Sequence, residues 1–137
     1  FKFTEFQAAV GISQMKKLPN RIQKKKNMYK KYYELLHKND DIDFVETELK
    51  QITPWMIDIV IKSKNKKNKL INYLEKNNIE TRIFYPPIHR LKPYEKMDKH
   101  YVNSSEISDK GLWLPSSTTL KNNQIDYICR KIKDFFN

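Results

Sequence analysis

Apolar residues recur along the chain with two different periods. Phe3, Phe6 and Val10 step by three and four residues, the stripe of an amphipathic helix. Thr4-Glu5-Phe6-Gln7 has the form of a capping box at its start: Thr4 accepts from an amide three residues on while Gln7 reaches back. Ile12 and Met15 project from another side, and a helix ringed by apolar residues is usually covered on more than one side. Ala8, Ala9 and Gly11 are small enough to admit another backbone, although Gly11 costs ~1 kcal/mol against Ala in a helix. Pro19 lacks an amide and predicts a break or kink. A second helix is expected from Asn20 to His37, with Ile22, Tyr29, Tyr32, Tyr33 and Leu36 inward, lysines outward, and Asn39-Asp40 ending it.

The next segments alternate. Ile42 to Glu46 predicts a short strand. Trp55 to Ile61 predicts a better one, with Trp55, Ile57, Ile59 and Ile61 on one face, so that Trp55 reads as core. Ser63 caps a predicted helix to about Asn77 with Leu70, Ile71 and Leu74 as its apolar face, and Asn77-Asn78 supplies a left-handed exit. Ile79 to Phe84 reads as a strand, but Tyr85-Pro86-Pro87-Ile88-His89 cannot continue a central ladder, because neither proline donates a hydrogen bond. Arg90 to Asn103 has no period and reads as loop. Ser104 to Lys110 suggests a short helix and Leu112 to Pro115 an extended segment. Ile125, Ile128, Ile132 and Phe135 mark a clear last helix, with Cys129 and Phe136 alongside. The expected fold is a small α+β domain, a mixed or antiparallel sheet covered on one face by helices.

Composition narrows the class. The 137 residues allow one domain, and 39% apolar with 12% aromatic content excludes a disordered chain. A single cysteine excludes an internal disulfide and a multi-thiolate zinc site. Two glycines exclude a glycine-rich phosphate loop. No apolar run reaches the roughly 18 residues of a membrane span, and no signal peptide opens the sequence. A cytoplasmic location is expected. The chain starts at Phe1 with a helix signal directly behind it, which suggests a piece cut from something longer. Its net charge of +11 gathers in Lys24-Lys25-Lys26, Lys30-Lys31 and Lys64, Lys66, Lys67 and Lys69, with tyrosines interleaved. A basic nucleic-acid-binding module would look like this. Solvated helix faces account for the lysines equally well, and no RNA-binding aromatic strand accompanies them.

Four segments in register carry a resemblance. Phe3-Thr4-Glu5-Phe6-Gln7-Ala8-Ala9-Val10-Gly11, with Gln14-Met15-Lys16-Lys17-Leu18 behind it, is followed by Trp55-Met56, by Thr81-Arg82-Ile83-Phe84-Tyr85-Pro86-Pro87-Ile88-His89 and by Leu112-Trp113-Leu114-Pro115. Together they resemble the C-terminal part of the pyridoxal-phosphate-dependent nucleotide-sugar aminotransferases, the DegT/DnrJ/StrS family of fold type I. The resemblance implies a homodimeric enzyme that moves an amino group from glutamate to a nucleotide-linked keto sugar for polysaccharide biosynthesis. It implies connecting helices over residues 1–38, facing the dimer mate and a large domain, and a small C-terminal domain over residues 39–137. The Schiff-base lysine and most contacts to pyridoxal phosphate (PLP) lie in the family's large domain, which is absent here. The resemblance therefore assigns no catalytic, cofactor-binding or metal-binding residue to this chain and implies that it is inactive alone. Lys2 stands where the family commonly has Arg, a cation without the bidentate fork.

Arg82, Tyr85 and His89 are the expected substrate-binding residues, on a bend that Pro86 and Pro87 stiffen. A plainer reading pairs Arg82 with Glu80 or Asp58 and makes His89 structural. Tyr29, Tyr32 and Tyr33 read as core or domain contact, and Cys129 as an inert buried thiol. A free-standing interaction domain, descended from a truncated aminotransferase, is the other alternative. The helix from Phe3 to Leu18 is expected to be only partly covered by this chain.

Overall fold

The computed structural model describes residues 2–94 and 101–137. Its first element, α1 (Glu5–Leu36), is one helix of 32 residues, about 48 Å long at 1.5 Å per residue. The expected capping box is present: the Gln7 amide donates to Thr4 Oγ1 at 3.3 Å and the Thr4 amide to Gln7 Oε1 at 3.0 Å. The predicted break at Pro19 does not occur. Pro19 withdraws only the amide that would bond the Met15 carbonyl, and this turn is open to solvent, so the helix passes through. The two halves differ sharply in environment. Phe3, Phe6, Val10, Ile12, Met15 and Leu18 are exposed, whereas Met28, Tyr29, Tyr32 and Leu36 are buried. Tyr33, expected inward, sits at the rim, stacked on His37 and edge-on to Phe44.

Four strands follow: β1 (Ile42–Phe44), β2 (Ile57–Ile61), β3 (Arg82–Ile83) and β4 (Gly111–Leu114). They form an antiparallel sheet in the order β1-β2-β4-β3. The other helices are α2 (Lys64–Lys76), α3 (Val102–Lys110) and α4 (Asn122–Phe136), with a 3-10 turn at Ile88–Arg90. Ile57 pairs with Leu114 and Ile59 with Leu112, so both rows of aliphatic side chains point to one face. Tyr32 and Leu36 of α1, Leu70 and Leu74 of α2 and Ile125 and Ile132 of α4 close that face completely. Each such side chain contributes ~1.5–3 kcal/mol by leaving water.

Three strand expectations change. Trp55 is 71% exposed, because the ladder starts at Ile57 and strand parity says nothing about a residue before the first pair. β3 is shorter than Ile79 to Phe84. Asn78 takes φ 58° and the Ile79 amide returns to the Leu74 carbonyl at 2.9 Å, so Ile79 closes the end of α2. Leu112 to Leu114, expected only to be extended, belongs to a central strand whose shortness hid its period. Of the stretch expected as loop, Arg90 ends the 3-10 turn and α3 begins at Val102; residues 95–100 lie outside the described residues.

Two buried acidic protons make the fold sensitive to alkali. The Tyr32 hydroxyl donates to the Pro115 carbonyl at 3.0 Å, and burial raises its pKa well above the usual phenol value. Burial likewise pushes the Cys129 thiol from 9.0 up to about 12. A raised pKa in the folded state gives stability that is complete below the unfolded value and lost as pH climbs through the folded one. The urea midpoint is therefore expected to fall as pH rises from 9.0 toward about 12. A thiol reagent is expected to leave the native chain unmodified near neutral pH and to label Cys129 once urea unfolds it.

Candidate functional site

Because the aliphatic residues of β2 and β4 all turn to the helices, their neighbours turn the other way. Register sets Asp58, Trp113 and Arg82 side by side across β2, β4 and β3 on that opposite, half-covered face. Burial is the main influence on the Asp58 carboxyl and raises its pKa, while the neighbouring Trp113 indole acts in the lowering direction. The balance leaves Asp58 above the usual carboxylate range. Among the described residues Arg82 makes no ion pair with Glu80 or Asp58, so the plainer reading of this guanidinium does not hold.

Beyond β3 the chain leaves the sheet over Gly111. A Cβ at Gly111 would lie 2.2 Å from the Phe84 ring, so the absence of a side chain is what lets Phe84 settle there. Phe84 and Tyr85 then both pack on Trp113, at 5.1 and 4.9 Å between ring centroids, Tyr85 edge-on. Tyr85 remains 66% exposed. His89, in contrast, is only 6% exposed: Nε2 lies 2.9 Å from Ser105 Oγ and the ring stacks on Tyr101. The structure thus brings Arg82 and Tyr85 to Trp113 and turns His89 inward toward α3.

Sequence reasoning passed over Trp113, Lys25 and the inward face of α3. The signal for Trp113 was its place two residues before Pro115; nothing marked Lys25 among its lysine neighbours. The Lys25 amine donates to the carbonyl of Trp55 at 2.7 Å and to that of Ser116, and its burial lowers its pKa. It fastens two loops that wall an open groove of about 1140 Å³, whose lining includes Trp55, Arg82, Trp113, Lys121 and Tyr127. Arg82 and Lys121, the lining's cations besides Lys25, together with the exposed rings of Trp55 and Tyr127, suit an anionic ligand carrying a flat ring. The Lys25 amine fastened in this groove is spent on two carbonyls and so is not set up as a Schiff-base lysine. No group of three His, Cys, Asp or Glu side chains that could hold a metal occurs among the described residues. No helix among them is long and apolar enough to cross a membrane.

Residues 1–133 match the model of the DegT/DnrJ/EryC1/StrS aminotransferase family. The chain belongs to this family. A GDP-perosamine synthase of Escherichia coli O157:H7 is 31% identical over 142 residues, covering 99% of the chain and 37% of the relative. A GDP-perosamine synthase of Vibrio cholerae is 28% identical over 148 residues, covering 100% of the chain and 38% of the relative. The chain therefore spans a little over a third of the length of these curated relatives. Solved structures with the same fold include one described as a sugar aminotransferase, Spr1654 of Streptococcus pneumoniae in its PMP form, with a TM-score of 0.87 at 20% identity. That match covers 98% of this chain and 35% of Spr1654. The structure of S. venezuelae DesV in complex with a ketimine intermediate matches at a TM-score of 0.85 and 16% identity, over 99% of this chain and 37% of DesV.

The Gly111–Phe84 contact gives a direct test of how the family bend is seated. Gly111 has φ −73°, open to any residue, so only the ring obstructs a side chain. Gly111→Ala is expected to cost ~1–3 kcal/mol in urea unfolding. Adding Phe84→Ala is expected to return part of that loss.

Proposed function

We propose that this chain is the C-terminal part of a PLP-dependent aminotransferase that transfers an amino group from glutamate to a nucleotide-linked keto sugar destined for a surface polysaccharide. In this reading residues 1–38 connect to the large domain and the dimer mate, residues 39–137 form the small domain, and the enzyme acts in the cytoplasm. The large domain supplies the lysine and most of the PLP contacts, and the 137 residues are inactive without it. One observation carries the reading: Arg82, with no ion pair among the described residues, and an exposed Tyr85 flank Trp113 on the sheet face the helices leave open. A sugar nucleotide brings a diphosphate for the guanidinium and flat and hydroxylated surfaces for the rings. The match to two GDP-perosamine synthases along nearly the whole chain supports the same substrate class. We assign substrate contact to Arg82 and Tyr85, with His89 as the third residue of the site, placed on the inner side of the bend.

The lysines do not favour the nucleic-acid alternative. Lys31, Lys64 and Lys66 lie within 2.7–3.3 Å of Asp126, Asp109 and Asp41, and Lys67 is buried, so the basic runs do not form one continuous face.

The test is to produce the complete polypeptide that carries this chain, look for the absorbance of bound PLP, and follow its change on adding glutamate and then a nucleotide-linked keto sugar. Arg82→Ala is expected to raise KM for the nucleotide sugar about tenfold, the loss of roughly one charge-assisted contact, and to leave the reaction with glutamate unchanged. Equal effects on both substrates, or none, would remove Arg82 from the site. The exposed first half of α1 adds a second expectation: the isolated chain self-associates, and Phe6→Glu with Ile12→Glu reduces this in sedimentation measurements while leaving the urea midpoint in place.

A further inference from the structure

Helix α3 is built inside out. Its large apolar residues, Val102 and Ile107, are 66% and 48% exposed, and none of its residues is fully buried. An ordinary surface helix does the reverse, turning its apolar stripe to the core. The side chains that α3 turns inward are Ser105, Ser108 and Asp109, spaced i, i+3 and i+4 on one face. All three bond the Tyr85–Arg90 segment. Ser108 Oγ donates to the Tyr85 carbonyl at 2.9 Å, Ser105 Oγ lies 2.9 Å from His89 Nε2, and Arg90 donates to both carboxylate oxygens of Asp109 at 2.8 and 3.5 Å. Asp109 also reaches Lys64 of α2 at 3.3 Å, which ties the group to the domain's core layer.

The segment needs such outside support. Pro86 and Pro87 have no amide to donate, and β3 has already ended at Ile83, so no ladder holds the backbone there. Hydrogen bonds from Arg90 also hold the Asp109 carboxyl below the usual carboxylate range, the sign of a formed and favourable pair. A helix that contributes no buried side chain to the core, yet spends three inward residues on one bend, is organised around that bend.

We infer that Ser105, Ser108 and Asp109 are positioning residues that fix the Tyr85–His89 bend from beneath and so set the orientation of Tyr85 toward the substrate. The inference rests on the reading of that bend as substrate-facing given above. These residues touch no reacting group; they act through Tyr85, His89 and Arg90.

The test uses Ser108→Ala, Asp109→Asn and the conservative Ser105→Thr, read in two ways. In this chain, the amides of Arg90 and Leu91, which bond the Pro87 and Ile88 carbonyls, are expected to exchange with deuterium at least tenfold faster in Ser108→Ala and Asp109→Asn. The amides of β2 and β4 in both variants and the urea midpoint of Ser108→Ala are expected to stay in place, and Ser105→Thr, which keeps its hydroxyl, is expected to match the parent. In the complete enzyme the first two variants are expected to raise KM for the nucleotide sugar several-fold with kcat and KM for glutamate unchanged. Unchanged exchange at Arg90 and Leu91, or faster exchange spread over the whole chain, would overturn the inference. So would a loosened bend with an unaltered KM. Tyr85→Ala separates the two layers: if it too leaves KM unaltered, the substrate-facing reading of the bend is what has failed; if it raises KM while Ser108→Ala and Asp109→Asn do not, only the positioning role is lost.

Discussion

The antiparallel register between β2 and β4 carries most of this architecture. It places Ile57 opposite Leu114 and Ile59 opposite Leu112, and those four side chains can leave water only against the helices. Once they do, parity gives the opposite face to Asp58, Trp113 and Arg82. A slip of one residue would bury the carboxylate and the guanidinium and expose the isoleucines, at a cost of many kcal/mol. The energetic demand of the core and the location of the polar site are thus one constraint. Arg82 and Trp113 need no further device to stay on that side of the sheet; only the bend beyond β3 does.

How much of this was legible depended on whether a local pattern fixed the outcome. The caps at Thr4 and Ser63 and the left-handed exit at Asn78 are decided within a few residues, and all three appear as read. The long stripe of α4 is as plain in the structure as in the sequence. The failures are places where something distant decides. Pro19 interrupts α1 on paper, yet one missing donor on an exposed turn is a small penalty against the continuity of 32 residues. Trp55 shares its parity with three isoleucines but stands outside the ladder, a fact set by where β4 begins and ends. β4 itself is four residues long, too short to show a period, and its central place depends on partners far along the chain.

The candidate site shows the same division. Arg82, Tyr85 and His89 came from a motif, and motifs carry residue identity without exposure. Only the structure separates the outward Tyr85 from the inward His89. Ser105, Ser108 and Asp109 were inconspicuous because they fall in an expected short helix with no apolar stripe to mark an inward face; their meaning lies in the bend they grip. The family match over residues 1–133 agrees with the motif reading and does not itself say which side chains meet a ligand.

The hook that Lys25 makes has a mechanical corollary. It sits on the inner half of a rod whose outer half stands bare, and it grips the backbone on both banks of the groove beneath. Anything that seizes the bare end and tilts the rod draws those banks along with it. With the Tyr32 hydroxyl on the neighbouring Pro115 carbonyl, that ammonium group makes the pitch of the rod and the width of the opening a single mechanical variable.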